Sequence, residues 1–214
     1  MKNYLTEFIG TFFLVLTVGL TVVRGTQFAG LAIGCSLMIM VYMGGHISGG
    51  HYNPAVSLAV WLRGKLPTKE LAPYWISQLL GAIVASLVVL FVLGKTFTAA
   101  PGADVTSTAA LLIELLFTFA LALVVLNVAT SQGTAGNSFY GLAIGFTIVV
   151  AAYAGGPISG GAFNPAVGLG PMIVNAMFGG GSLGNMWIYI VGPLLGGALA
   201  AAVFRVQEGV AAGA

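Results

Sequence analysis

The chain has 214 residues, 58% of them hydrophobic and 6% charged, with a mean hydropathy of +1.03; so few charges cannot coat a soluble globule of this size, which places the chain in a lipid bilayer. Seven Lys and Arg against five Asp and Glu leave a net charge of +2, and without clustered cations there is no face for nucleic acid. Cys35 is the only cysteine, which excludes an intrachain disulfide or a cysteine-based metal site and assigns it to packing.

The apolar run from Phe8 to Val23 follows Met1-Lys2 in the manner of a signal peptide. Glu7 stands at its mouth, no small-residue cleavage site follows, and the run has a counterpart later in the chain, so it reads as a retained span. About 20 apolar residues cover the hydrocarbon core, and six segments qualify: Tyr4 to Val23, Phe28 to Gly44, Leu71 to Leu93, Ala109 to Ala129, Phe139 to Gly155 and Met186 to Phe204. Between the second and third, and again between the fifth and sixth, a shorter apolar piece opens at Asn-Pro-Ala. The first, from Asn53 to about Leu62, is followed by Arg63-Gly64-Lys65-Leu66-Pro67 and spans about half a bilayer, so it enters and returns on one side.

These elements repeat. The stretch that begins at Gly30 returns at Gly141, 111 positions later without a gap: an apolar segment, a glycine-rich run (Gly44, Gly45, Gly49, Gly50; Gly155, Gly156, Gly160, Gly161), then Asn53-Pro54-Ala55 and Asn164-Pro165-Ala166. Glu7 to Phe12 is echoed by Glu114 to Phe119 at an offset of 107, and Gln78 to Ala82 by Pro193 to Gly197 at 115. Three crossings per repeat is an odd number, so the second copy lies inverted relative to the first, the plan of many membrane transport proteins. The expected organisation is one domain over 1–214, with repeat 1 at about 1–95, a loop at about 96–107 and repeat 2 at about 108–206. With a cytoplasmic N-terminus, Lys2, Arg63, Lys65, Lys69 and Arg205 lie inside and only Arg24 and Lys95 outside, as the positive-inside rule asks. Short termini and the lack of long loops point to a prokaryotic plasma (inner) membrane.

Asn is a strong helix N-cap and Pro is favoured at the first helical position, so Asn53 and Asn164 each begin a half-helix whose positive end points to the midplane. Each amide is expected to cap its own helix through oxygen and turn its NH₂ to a shared lumen. Non-helical backbone at membrane depth survives where it is buried or lines a wet cavity, so Gly49, Gly50 and His51, with Gly160, Gly161 and Ala162, are expected to run extended and offer carbonyl acceptors. For His51 this leaves the side chain packed and only the carbonyl facing the pore, and His46 at a span end is read as structural or interfacial. Glu7 and Glu114 are intramembrane carboxylates, read as acceptors for backbone N–H groups of the re-entrant loops rather than as proton carriers. Gly10, Gly81, Gly196 and Gly197 are read as close helix contacts. No nucleophile with a base, phosphate loop or paired carboxylates is present, so no enzyme, cofactor or metal centre is expected.

The doubled Asn-Pro-Ala motif, the segment HISGGHYNPAVS, the start Glu7-x-x-Gly10-Thr11-Phe12 and six spans in inverted repeats resemble the aquaporins, the major intrinsic protein family, over about Asn3 to Val206. The resemblance implies an all-α fold of six spans and two re-entrant half-helices. It further implies a passive channel for water and small neutral solutes in the lipid bilayer, and a homotetramer with one pore per subunit. It places the outer selectivity filter at Ile33, Ala152, Gly161 and Val167. Water-selective members resemble Phe, His, a small residue and Arg at these places, and glycerol channels keep the Arg. Val167 stands where Arg is usual, so the filter is expected to be wider and more apolar, admitting ammonia, glycerol or urea. Two rival classes remain: an ion channel or coupled transporter, which also uses inverted repeats and broken helices and needs an ionisable group or ion cage near the midplane, and a closed structural or adhesive membrane protein that uses the fold without transport.

Overall fold

The computed structural model describes residues 1–209; residues 210–214, the end of the expected domain, lie outside the described residues. Among the described residues there are eight α-helices and no strand: α1 Lys2–Val23, α2 Ala29–Ser48, α3 Pro54–Leu62, α4 Thr68–Leu93, α5 Ser107–Thr130, α6 Tyr140–Ser159, α7 Pro165–Phe178 and α8 Met186–Gln207. Six of them are long and apolar enough to cross a membrane. The helices α3 and α7, of 9 and 14 residues, are the half-helices, about 13 and 21 Å long at 1.5 Å per residue.

The repeat expected from sequence governs the packing. Helix α1 packs on α4 as α5 packs on α8, α2 meets α6, and each half-helix lies against the opposite repeat, α3 on α8 and α7 on α4. Gly81 and Gly196 stand at two close crossings, α1 with α4 and α5 with α8. A Cβ on Gly81 would lie 2.5 Å from the Phe8 carbonyl oxygen, and one on Gly196 2.4 Å from that of Leu115, so backbone meets backbone without side chains between, as small residues allow within membranes.

Three expectations need correction. Helices α2 and α6 do not stop at Gly44 and Gly155 but run to Ser48 and Ser159. The first glycines of each run stay helical because the hydrogen-bond ladder must continue where no water replaces it. The path beyond is not extended: Gly49 and Gly50 have φ of 93° and 64°, Gly160 and Gly161 of 91° and 69°, a left-handed turn that glycine adopts without penalty. Gly10 is not a helix–helix contact, because the space its missing side chain leaves is filled by the Tyr52 ring, 2.1 Å from where a Cβ would be.

Candidate functional site

Each half-helix starts from a backbone held in place by a buried carboxylate. Glu7 Oε1 accepts from His51 N at 3.0 Å and Ser48 Oγ at 2.6 Å, and Oε2 from Tyr52 N at 2.7 Å and Gln78 Nε2 at 2.8 Å. Glu114 does the same in the second repeat, with Ala162 N at 3.0 Å and Ser159 Oγ at 2.7 Å on Oε1 and Phe163 N at 2.6 Å on Oε2. Both carboxyl groups are wholly buried, and acceptors bonded this fully can persist at membrane depth. Tyr74 and Tyr189 donate their hydroxyls to the Ser48 and Ser159 carbonyls at 2.7 and 2.5 Å, tying the helix ends that precede the loops.

The two asparagines connect the repeats. Asn53 Oδ1 accepts from Ala55 N at 2.8 Å and Asn164 Oδ1 from Ala166 N at 2.9 Å, the caps that Pro54 and Pro165 leave room for. Each amide also donates one N–H across the midplane, Asn53 to the Phe163 carbonyl at 2.9 Å and Asn164 to the Tyr52 carbonyl at 2.8 Å. One N–H per amide is thus engaged and one remains. Tyr52 and Phe163, both at φ 49°, are the partners that sequence reading missed. A non-glycine residue at positive φ is costly, and here the cost is met by the carboxylate on one side and the opposite asparagine on the other. Their common place just before each Asn-Pro-Ala was visible in the repeat, but their backbone conformation was not.

The asparagines border an internal cavity of about 40 Å³, room for about three waters at 10–15 Å³ each. Ile33, Ala152, Gly161 and Val167 border it too, as do Gly50, His51 and Ala162. Among the described residues, no charged side chain does. Gly49 and Gly160 do not border it. Gly49 faces larger spaces at the end of the molecule that carries the N-terminus, and Gly160 packs on the Ala100 backbone, because both are used as the caps that end α2 and α6. Pro54, Pro165 and Ala166 face an outer apolar groove between α4 and α8 instead, and Ala55 is buried beneath Gly197. His46 is exposed and borders the larger space at the N-terminal end.

The lining residues pair across the two repeats. Ile33, Leu37, Gly50, His51, Asn53 and Val56 have Ile144, Ile148, Gly161, Ala162, Asn164 and Val167 at their 111-residue mates, and Leu14 and Val18 have Leu121 and Val125 at an offset of 107. Apolar walls, two central amides and two opposed helix N-termini, each carrying about half a positive charge, suit uncharged molecules that exchange hydrogen bonds in file and disfavour cations.

Six spans, two inverted half-helices and one lumen between them define a transmembrane channel. The family model described as Major intrinsic protein matches residues 1–204. The chain is 38% identical over 222 residues to glycerol uptake facilitator protein-like 6 of Lactiplantibacillus plantarum, covering 97% of this chain and 98% of that protein. It is 36% identical over 206 residues to aquaporin NIP1-1 of Zea mays, with 92% and 71% covered, and 35% identical over 216 residues to nodulin-26 of Glycine max, with 96% and 78% covered. In fold it matches the X-ray structure of the aquaglyceroporin from Plasmodium falciparum at a TM-score of 0.85 and 24% identity, covering 95% and 94% of the two chains. The chain belongs to the major intrinsic protein family. It is a multi-pass membrane protein and a passive channel for water and small solutes, not an enzyme.

Proposed function

We propose that this channel conducts small uncharged solutes such as glycerol, urea and ammonia as well as water, with Ile33, Ala152, Gly161 and Val167 as its outer filter. The observation that carries the reading is the composition of that level: an alanine and a glycine beside two aliphatic side chains, all bordering a lumen with no charged side chain. A guanidinium at Val167 would bind solute oxygens and narrow the passage; valine does neither. The similarity to a glycerol uptake facilitator-like protein supports the same reading. Glu7 and Glu114 act as loop supports, and Asn53 and Asn164 as the central donors. The resemblance to the family further supports a homotetramer with one lumen per subunit, the loop charges support cytoplasmic termini, and the short loops support a prokaryotic plasma membrane.

Stopped-flow light scattering on proteoliposomes tests the solute range. The expected result is water, glycerol and urea flux above protein-free vesicles, with Val167→Arg lowering glycerol and urea flux more than water flux. Water flux without any solute flux would overturn the broad reading.

A further inference from the structure

We infer that the channel has an inner constriction, formed by Val41, Ile144, Val125 and His51, that sets the size limit for solutes; this rests on the reading of the outer level as a wide filter. The repeat supplies the argument. The 111-residue mates of Ile33, Ala152, Gly161 and Val167 are Ile144, Val41, Gly50 and Val56, so the outer filter has an inverted copy at the other end of the lumen. One member of the copy is larger, Val41 where the outer level has Ala152; beside it, His51 stands at the mate of Ala162, a lumen residue next to the outer filter.

The cavities divide at this copy. The lumen of about 40 Å³ is distinct from two vestibules of about 510 and 460 Å³ at the N-terminal end. Ile144 borders both the lumen and the larger vestibule, and Val125 and His51 both the lumen and the smaller one. Ala152 borders the lumen, whereas its mate Val41 borders the larger vestibule. All four wall residues are buried, at 1% to 6% exposure.

A brace found in only one repeat holds His51 in that wall. Its Nδ1 lies 3.1 Å from Ser57 Oγ, which donates to the Asn53 carbonyl at 3.1 Å and accepts from Gln78 Nε2 at 2.9 Å. Ser57 thus ties the imidazole to both the Asn53 carbonyl and the Gln78 amide. The ring also rests on Tyr74, with centroids 5.2 Å apart. In the second repeat Gly168 and Pro193 stand at the mates of Ser57 and Gln78, and no such brace can form. The imidazole is thus a fixed part of the wall, where the sequence led us to expect the His51 carbonyl alone, and not a mobile side chain that a passing solute could push aside.

The test is to make the inner level match its outer mate, with Val41→Ala and His51→Ala together, and to measure water, glycerol and a four-carbon polyol in the same proteoliposomes. The expected result is a rise of about tenfold in the polyol-to-water permeability ratio, the discrimination that one or two methylenes give in an apolar site. An unchanged ratio overturns the inner constriction whether or not the wild type passes glycerol. Glycerol flux in the variant but not in the wild type supports the constriction while overturning the broad-solute reading. Val125→Cys in a Cys35→Ser background is the second variant, which leaves the loop and its brace intact. Attachment of a bulky thiol reagent is expected to stop flux, and full flux in the labelled protein overturns the proposal.

Discussion

Asn53 and Asn164 each serve two loops at once, capping their own half-helix through Oδ1 and donating from Nδ2 to the carbonyl that precedes the other half-helix. That reciprocal pair brings the two helix N-termini into register, and the carboxylates behind them fix the loops. Glu114→Gln tests this support. The amide would turn an NH₂ toward either Phe163 N or the Ala162 and Ser159 donors, so at least one hydrogen bond to the carboxyl group is lost and a donor is left facing a donor. The expected cost is about 2–3 kcal/mol, read as a lower unfolding temperature in detergent and a loss of flux. An unchanged unfolding temperature would mean that the carboxylate does not hold the loop. At this scale the sequence was partly legible. The equivalence of Glu7 and Glu114 pointed to the loop backbone without showing which donors they bind. The crossed asparagine bonds were not readable, because their acceptors are main-chain carbonyls and carry no residue signature. The amides were expected to face only the lumen; each in fact spends one N–H on the opposite repeat.

At the scale of elements, the helices meet where glycine removes the side chain from a backbone crossing. Gly81→Val would push Cγ atoms into the Phe8 carbonyl region, where a Cβ alone already lies at 2.5 Å, and force α1 from α4. It is expected to abolish the folded protein in detergent, as judged by size-exclusion profile. Gly156→Ala is the control: although it lies in the same glycine-rich run as Gly160, nothing stands within 4 Å of its added Cβ. It should be neutral or stabilising by up to about 1 kcal/mol. A folded Gly81→Val protein of native stability would contradict the packing account. Helix number, order and the half-length of α3 follow from hydropathy and the Asn-Pro pair, so those were legible. The true ends of α2 and α6 were not, because a glycine pair reads as a helix stop in water, whereas in a membrane-buried helix it stays helical and makes room for the Tyr52 and Phe163 rings.

For the whole molecule, the two repeats are alike in backbone and unlike in side chains where solutes pass. The pairing of lumen residues at offsets of 111 and 107 could be read from the sequence once the repeat was aligned. The brace around His51 needed the structure, since Ser57 lies on α3 and Gln78 on α4 and only the fold brings them to the imidazole. The opposed N-termini give the lumen a positive centre with no acid bordering it, which separates a passive neutral-solute pore from an ion channel or a coupled transporter. The most direct measurement records osmotic water flux and the decay of an imposed pH gradient in the same proteoliposomes. Water permeability well above protein-free vesicles, with a pH gradient that decays no faster than theirs, is the predicted result. Water flux no higher than that of bare lipid, or a gradient that collapses as the protein is added, would contradict a channel built around Asn53 and Asn164.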